Sequence, residues 1–169
     1  IGPYIISGYS GPQIDTTQLI VNNVTCFSPF GSINGLSISG SYSQITWSDP
    51  NLTTLNPSTL TPGNYDLIVN DSVGCADTLS ILIANFPEPS LDSSNINVIQ
   101  PNCNQNGSIN MLNINGGTSP ISIVWLGTTQ STLDIQNLSP GNYSVFIEDS
   151  IGCKDSLLNI TILPPPSID

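Results

Sequence analysis

The sequence contains no histidine and a single cation, Lys154, against twelve Asp and Glu residues, for a formal net charge of -11. A protein that binds phosphate backbones displaces counterions with Lys and Arg, so nucleic acid and anionic membrane surfaces are excluded as partners. The usual nucleophile–base pairs of enzymes are missing too, which leaves only a carboxylate pair of glycosidase type. The Asp and Glu residues sit at repeated turn positions, so no enzymatic activity is expected. Aromatic residues are few, at 7%. No apolar run approaches the roughly 20 residues of a membrane-spanning helix, so no membrane insertion is expected. Ile1 is neither a start methionine nor part of a signal peptide, and the chain is expected to be a piece of something longer or a processed product.

Ser, Thr and Asn supply roughly a third of the residues, a composition often associated with disorder. The apolar residues nevertheless alternate in short runs, and strong turn signals punctuate them at regular spacing, as in packed strands.

The organising stretch is Leu60-Thr61-Pro62-Gly63-Asn64-Tyr65, which runs on to Asp71-Ser72-Val73-Gly74-Cys75. It recurs as Leu138-Ser139-Pro140-Gly141-Asn142-Tyr143 and Asp149-Ser150-Ile151-Gly152-Cys153, with a step of 78 residues from Tyr65 to Tyr143 and from Cys75 to Cys153. Pro presets φ and Gly accepts positive φ, so each copy has a tight corner followed by an alternating strand. Tyr65 and Tyr143, at the start of that strand, are read as tyrosine corners, with the ring inside and the hydroxyl tied to the backbone.

A second anchor sets the boundaries. Pro12-Gln13-Ile14-Asp15 recurs as Pro89-Ser90-Leu91-Asp92 and begins again as Pro166-Ser167-Ile168-Asp169, a step of 77 residues each time. Residues 1–11 are expected to be the last strand of a preceding repeat, 12–88 and 89–165 two complete repeats, and 166–169 the start of another. Each repeat carries a short strand (Leu19 to Val21, Ile96 to Ile99), then a Cys, then a strand between two glycines (Gly31 to Gly40, Gly107 to Gly116). A strand ending in Trp47 or Trp125 follows, then a weaker one near Leu55 or Leu133 to Ile135, the corner strand, and a final strand (Leu79 to Ile83, Leu157 to Ile162). Six or seven short strands with regular turns predict an all-β fold of two tandem immunoglobulin-like antiparallel β-sandwiches. The proline-rich linkers predict an extended rod.

The early Cys, the strand ending in Trp, Leu-x-Pro-Gly-x-Tyr and Asp-x-x-Gly-Cys together resemble the SprB-type repeat of very large surface adhesins in gliding Bacteroidota and related secreted proteins. The resemblance spans residues 12–165 and is most specific at Leu60 to Cys75 and Leu138 to Cys153. One departure is Ser72 and Ser150, where the family more often has a small residue before Asn-Gly-Cys. The resemblance implies type IX secretion, display on the cell surface, and a role in adhesion or in long filaments.

Each repeat holds one pair of cysteines, a usage suited to an oxidising, extracellular setting. The expected bridges are Cys26 with Cys75 and Cys103 with Cys153, the alternative being free buried thiols. Two Cys and no His cannot complete a tetrahedral zinc site within one repeat. Trp47 and Trp125 are read as core residues beside the disulfide, the alternative being exposed rings that stack on sugars. Asp66, Asp71, Asp77, Asp149 and Asp155 are read as solvated carboxylates, with calcium ligation as the alternative and no cofactor otherwise expected. Thr16, Ser72, Thr78, Ser150 and Ser156 each follow an Asp and precede a small or aliphatic residue or a Thr, which looks like the acceptor pattern for O-linked glycans on secreted Bacteroidota proteins. The reading is a structural and adhesive segment of a surface filament whose partners are neighbouring repeats. The alternatives are a glycan-binding module and a self-assembling extracellular fibre, with extracellular surfaces or further copies of the chain as partners.

Overall fold

A computed structural model describes residues 10–165. The expected terminal pieces of flanking repeats, at 1–9 and 166–169, lie outside the described residues. The protein is all-β, and its antiparallel sheets form immunoglobulin-like sandwiches. Two compact units divide the described chain: 10–24 with 28–85, and 86–165 together with Thr25–Phe27.

In the first unit the strands are β1 (Gln13–Asp15), β2 (Ile20–Asn22), β3 (Gly31–Asn34), β4 (Ser37–Ser39), β5 (Gln44–Trp47), β6 (Ser58–Leu60), β7 (Gly63–Asn70) and β8 (Ala76–Ile83). One sheet has the order β5-β7-β8, another β2-β3-β6, and β1 pairs with β4. β7 shows how the sequence produces this. Tyr65, Leu67 and Val69 are buried while Asn64, Asp66 and Ile68 face outward, the period-2 pattern of a strand with one face on a core. Its register places Trp47 opposite Leu67 on one side and Leu79 opposite Leu67 on the other. Ile33, Leu36 and Leu60 join these residues in one cluster, in which Ile33, Leu67 and Val69 are fully buried. A side chain of that size contributes about 1.5–3 kcal/mol on full burial.

The second unit repeats the order with β9 (Ser90–Asp92), β10 (Asn97–Ile99), β11 (Gly107–Asn110), β12 (Asn113–Asn115), β13 (Ser122–Leu126), β14 (Ile135–Leu138), β15 (Gly141–Glu148) and β16 (Lys154–Ile162). Its sheets are β13-β15-β16, β10-β11-β14 and β9-β12. Its core gathers Ile109, Leu112, Trp125, Ile135, Tyr143, Val145 and Ile147.

Two differences from the sequence reading have local causes. The single strand expected between Gly31 and Gly40 is two strands in different sheets, because the backbone turns left-handed at Gly35, φ 77°. Met111 takes the equivalent place with φ 65°, so the break belongs to the repeat and not to glycine alone. The Pro12 and Pro89 anchors each lead into a short strand, β1 and β9, that the apolar pattern was too brief to reveal.

Candidate functional site

The Pro-Gly corner closes on itself in both units. Tyr65 is buried and its hydroxyl donates to the Thr61 carbonyl at 2.9 Å; Tyr143 donates to the Ser139 carbonyl at 2.8 Å. Trp47 and Trp125 are each 4% exposed, and their indole N–H groups donate to the carbonyls of Thr54 and Thr132 at 2.9 Å. Both rings are therefore core pieces that also pin the loop that follows, and neither presents a face to a sugar.

Asp-x-x-Gly-Cys forms the tip of the β7–β8 hairpin in one unit and of the β15–β16 hairpin in the other. The Asp71 Oδ1 accepts the backbone N–H of Val73 and of Cys75, both at 2.9 Å. Asp149 Oδ1 accepts those of Ile151 and Cys153 at the same distance, and its Oδ2 accepts the N–H of Thr118 at 3.0 Å. Gly74 and Gly152 both have φ 95°. The motif is thus a turn whose carboxylate gathers backbone donors around a cysteine, with glycine at the left-handed position. Removal from water is the largest influence on Asp149 and pushes its carboxyl up, but the N–H groups of Thr118, Cys153, Ile151 and Gly152 together outweigh it and hold the carboxyl below its usual range.

This corrects the reading of Asp71 and Asp149 as solvated carboxylates, since they are only 7% and 5% exposed. Asp77 and Asp155 also have structural duties, accepting the N–H of Ile14 and of Leu91 at 2.7 Å and so tying the first strand of each unit to the last. Asp66 accepts a hydrogen bond from the Ser80 hydroxyl. Among the described residues no three His, Cys, Asp or Glu side chains are gathered as a metal site.

The cysteine pairings require a further correction. Cys26 is bonded to Cys153, with Cα atoms 5.9 Å apart, while Cys75 and Cys103 are free and exposed. Neither expected pair, Cys26–Cys75 or Cys103–Cys153, is present. The reason lies inside each sequence repeat. Cys26 sits in the β2–β3 loop beside the end of β8, where Val24 donates to the Ala84 carbonyl at 3.0 Å and Asn23 Oδ1 accepts the Ala84 N–H at 2.9 Å. Cys75 sits at the beginning of β8, against the entering chain, where a Cβ on Gly11 would come within 2.9 Å of its own Cβ.

Strand β7 runs from one of these ends to the other, with Gly63 opposite Ile83 and Asn70 opposite Ala76. Eight residues span about 23 Å at strand rise, whereas a disulfide requires Cα atoms within about 7 Å. The second unit has the same polarity. Cys103 lies in the turn closed by Asn102 and Gln105, near Gln100, whose side chain accepts the N–H of Leu163 just past β16. Cys153 lies near the entering chain, where Gly117 donates to the Pro87 carbonyl and Ser150 to the Thr118 carbonyl. Residue spacing along the chain carried no signal of which end each loop occupies; strand order does.

The five Asp-Ser and Asp-Thr positions, Thr16, Ser72, Thr78, Ser150 and Ser156, are all exposed. The Ser150 hydroxyl also donates to the Thr118 carbonyl at 3.0 Å.

Residues 84–156, a stretch shorter than half the chain, match the family model of the secretion system C-terminal sorting domain. The match covers most of the second unit, including Leu138 to Cys153. No curated protein matches the chain. A sorting domain of this kind marks cargo of type IX secretion, so the protein is exported and lies at the cell surface or outside the cell.

Proposed function

We propose that the chain is a structural and adhesive segment of a long, repetitive cell-surface filament built from SprB-type repeats. The observation that carries this reading is the polarity of each unit. The chain enters beside the Asp-x-x-Gly-Cys hairpin and leaves beside the early-cysteine loop, at the opposite end of the longest strands. A unit that is entered at one end and left at the other adds its own length to an array, and stability then accumulates from unit and interface contributions. Electron micrographs of the intact protein are the test. Thin rods support the filament, and compact globules overturn it.

The two buried tryptophans weigh against a glycan-binding module that uses them as stacking platforms. The exposed Asp-Ser and Asp-Thr hydroxyls support O-glycosylation of the exported chain; sugar mass on peptides containing Thr16, Ser72, Thr78, Ser150 or Ser156 from native protein is the expected result, and unmodified peptides throughout would refute it.

A further inference from the structure

We infer that Cys75 and Cys103 are the two open positions of a disulfide ladder that joins successive repeats, the early cysteine of one repeat to the late cysteine of the next. The inference rests on the array reading above and adds a covalent connection to it.

Three observations carry it. First, the early and late cysteines of a sequence repeat lie at opposite ends of its strands, so neither can satisfy the other. Second, the one bridge among the described residues, Cys26–Cys153, joins the early cysteine of the first sequence repeat to the late cysteine of the second. Thr25–Phe27 is accordingly part of the second compact unit. Third, the two remaining cysteines are the repeat equivalents of the bonded pair, and the turn that holds the late cysteine is the same in both copies. Asp71 gathers the N–H groups of Val73 and Cys75 just as Asp149 gathers those of Ile151 and Cys153. Cys75 therefore occupies the place in which Cys153 receives Cys26. Cys103, the equivalent of Cys26, is exposed in an open polar groove between Asn102, Gln105 and Asn137.

The partner of Cys75 is thus the early cysteine of an equivalent unit, and the partner of Cys103 is a late one. Cys103 of one copy and Cys75 of another supply this chemistry. The reaction is thiol–disulfide exchange with a small disulfide oxidant such as oxidised glutathione. The Cys103 thiolate attacks one oxidant sulfur and expels a thiolate, and Cys75 then displaces the second. The two protein thiols lose two protons and two electrons, and the oxidant leaves as two thiols. The Asp71 carboxylate, reinforced by burial, pushes the Cys75 thiol up, so exchange accelerates as pH rises.

The experiment oxidises the full chain in a glutathione redox buffer and reads non-reducing gels and peptide maps. A protease cutting before Asp places each cysteine on its own peptide, because Asp residues fall between all four. The expected result is a ladder of multimers in which Cys26 is linked to Cys153 and Cys75 to Cys103. Cys75→Ser and Cys103→Ser each stop the ladder, and a mixture of the two variants yields one mixed dimer carrying the Cys75–Cys103 peptide pair.

Cys26–Cys75 or Cys103–Cys153 peptides would overturn the proposal. So would Cys75–Cys103 peptides from the monomer band, like-with-like dimers in excess of the mixed one, or two thiols that stay free while Cys26–Cys153 forms. Globular micrographs alongside an intact ladder sink the filament reading; rods without Cys75–Cys103 peptides sink the ladder.

Discussion

The hydroxyl of Tyr65 donates to the carbonyl of Thr61, four residues back, at 2.9 Å, and the hydroxyl of Tyr143 does the same to Ser139 at 2.8 Å. Each bond spans the Pro-Gly corner from which the longest inner strand starts, while the ring fills the core beneath. Tyr65→Phe and Tyr143→Phe retain the ring and delete the bond. Each is expected to lower stability by about 0.5–1.5 kcal/mol, the usual net contribution of one intramolecular hydrogen bond. Urea unfolding of the two variants measures this. A loss near zero in both would mean that the corner is held by ring packing alone.

How far the sequence revealed this architecture depends on the kind of signal each residue carries. Tyr65, Leu67 and Val69 alternate strictly, so the strand and its inward face could be read directly. The break at Gly35 and Met111 could not, because Ile33, Leu36 and Ile38 look like one apolar run, and Met at a left-handed position gives no warning. The Asp-x-x-Gly-Cys motif is legible as a repeated turn, but the sequence presents its carboxylate as a solvated one, since the backbone donors it collects carry no sequence signature. The cysteine partners are hidden from the sequence for a related reason. Equivalent spacing in both repeats suggests a bridge inside each one, whereas strand polarity puts the two thiols at opposite ends.

Gly35 should tolerate no side chain. A Cβ there would lie 1.9 Å from the Gln18 carbonyl oxygen, and φ is 77°. Backbone, unlike a flexible side-chain tip, cannot step aside without moving the start of β2. Gly35→Ala is expected to cost more than the roughly 1 kcal/mol of a left-handed alanine alone. Thermal unfolding tests this, and an unchanged midpoint would show that the Gln18 loop yields freely.

Acid should weaken the fold over a defined window. Asp15 is held below its usual range by the backbone and side chain of Thr17, Asp92 by the side chain and backbone of Ser94, and Asp149 by its four backbone donors, which prevail over desolvation. A carboxyl whose folded pKa is depressed binds protons more readily when unfolded. Its stabilising contribution is complete above the unfolded value, near 3.8, and is lost as pH falls through the folded value. Urea midpoints measured from pH 6 downward should stay level on this account until about pH 4 and then decline. Asp149→Asn should flatten the decline; an undiminished slope in that variant would assign the acid sensitivity to other groups.

Trp125 separates a core role from a ligand-binding one. Its ring is 4% exposed among Ile109, Ile135 and Val145, and its N–H holds the Thr132 carbonyl. Trp125→Ala removes a large buried volume and leaves that carbonyl without its donor, at an expected cost of about 3–5 kcal/mol, a large fraction of a small unit's stability. Trp125→Phe restores part of the packing but not the bond, so it should fall between the two. The graded series in thermal unfolding, wild type above Phe above Ala, is what a core ring produces. A Trp125→Ala protein that unfolds at the wild-type temperature yet loses affinity for a polysaccharide would place the ring at a binding surface and overturn the core assignment.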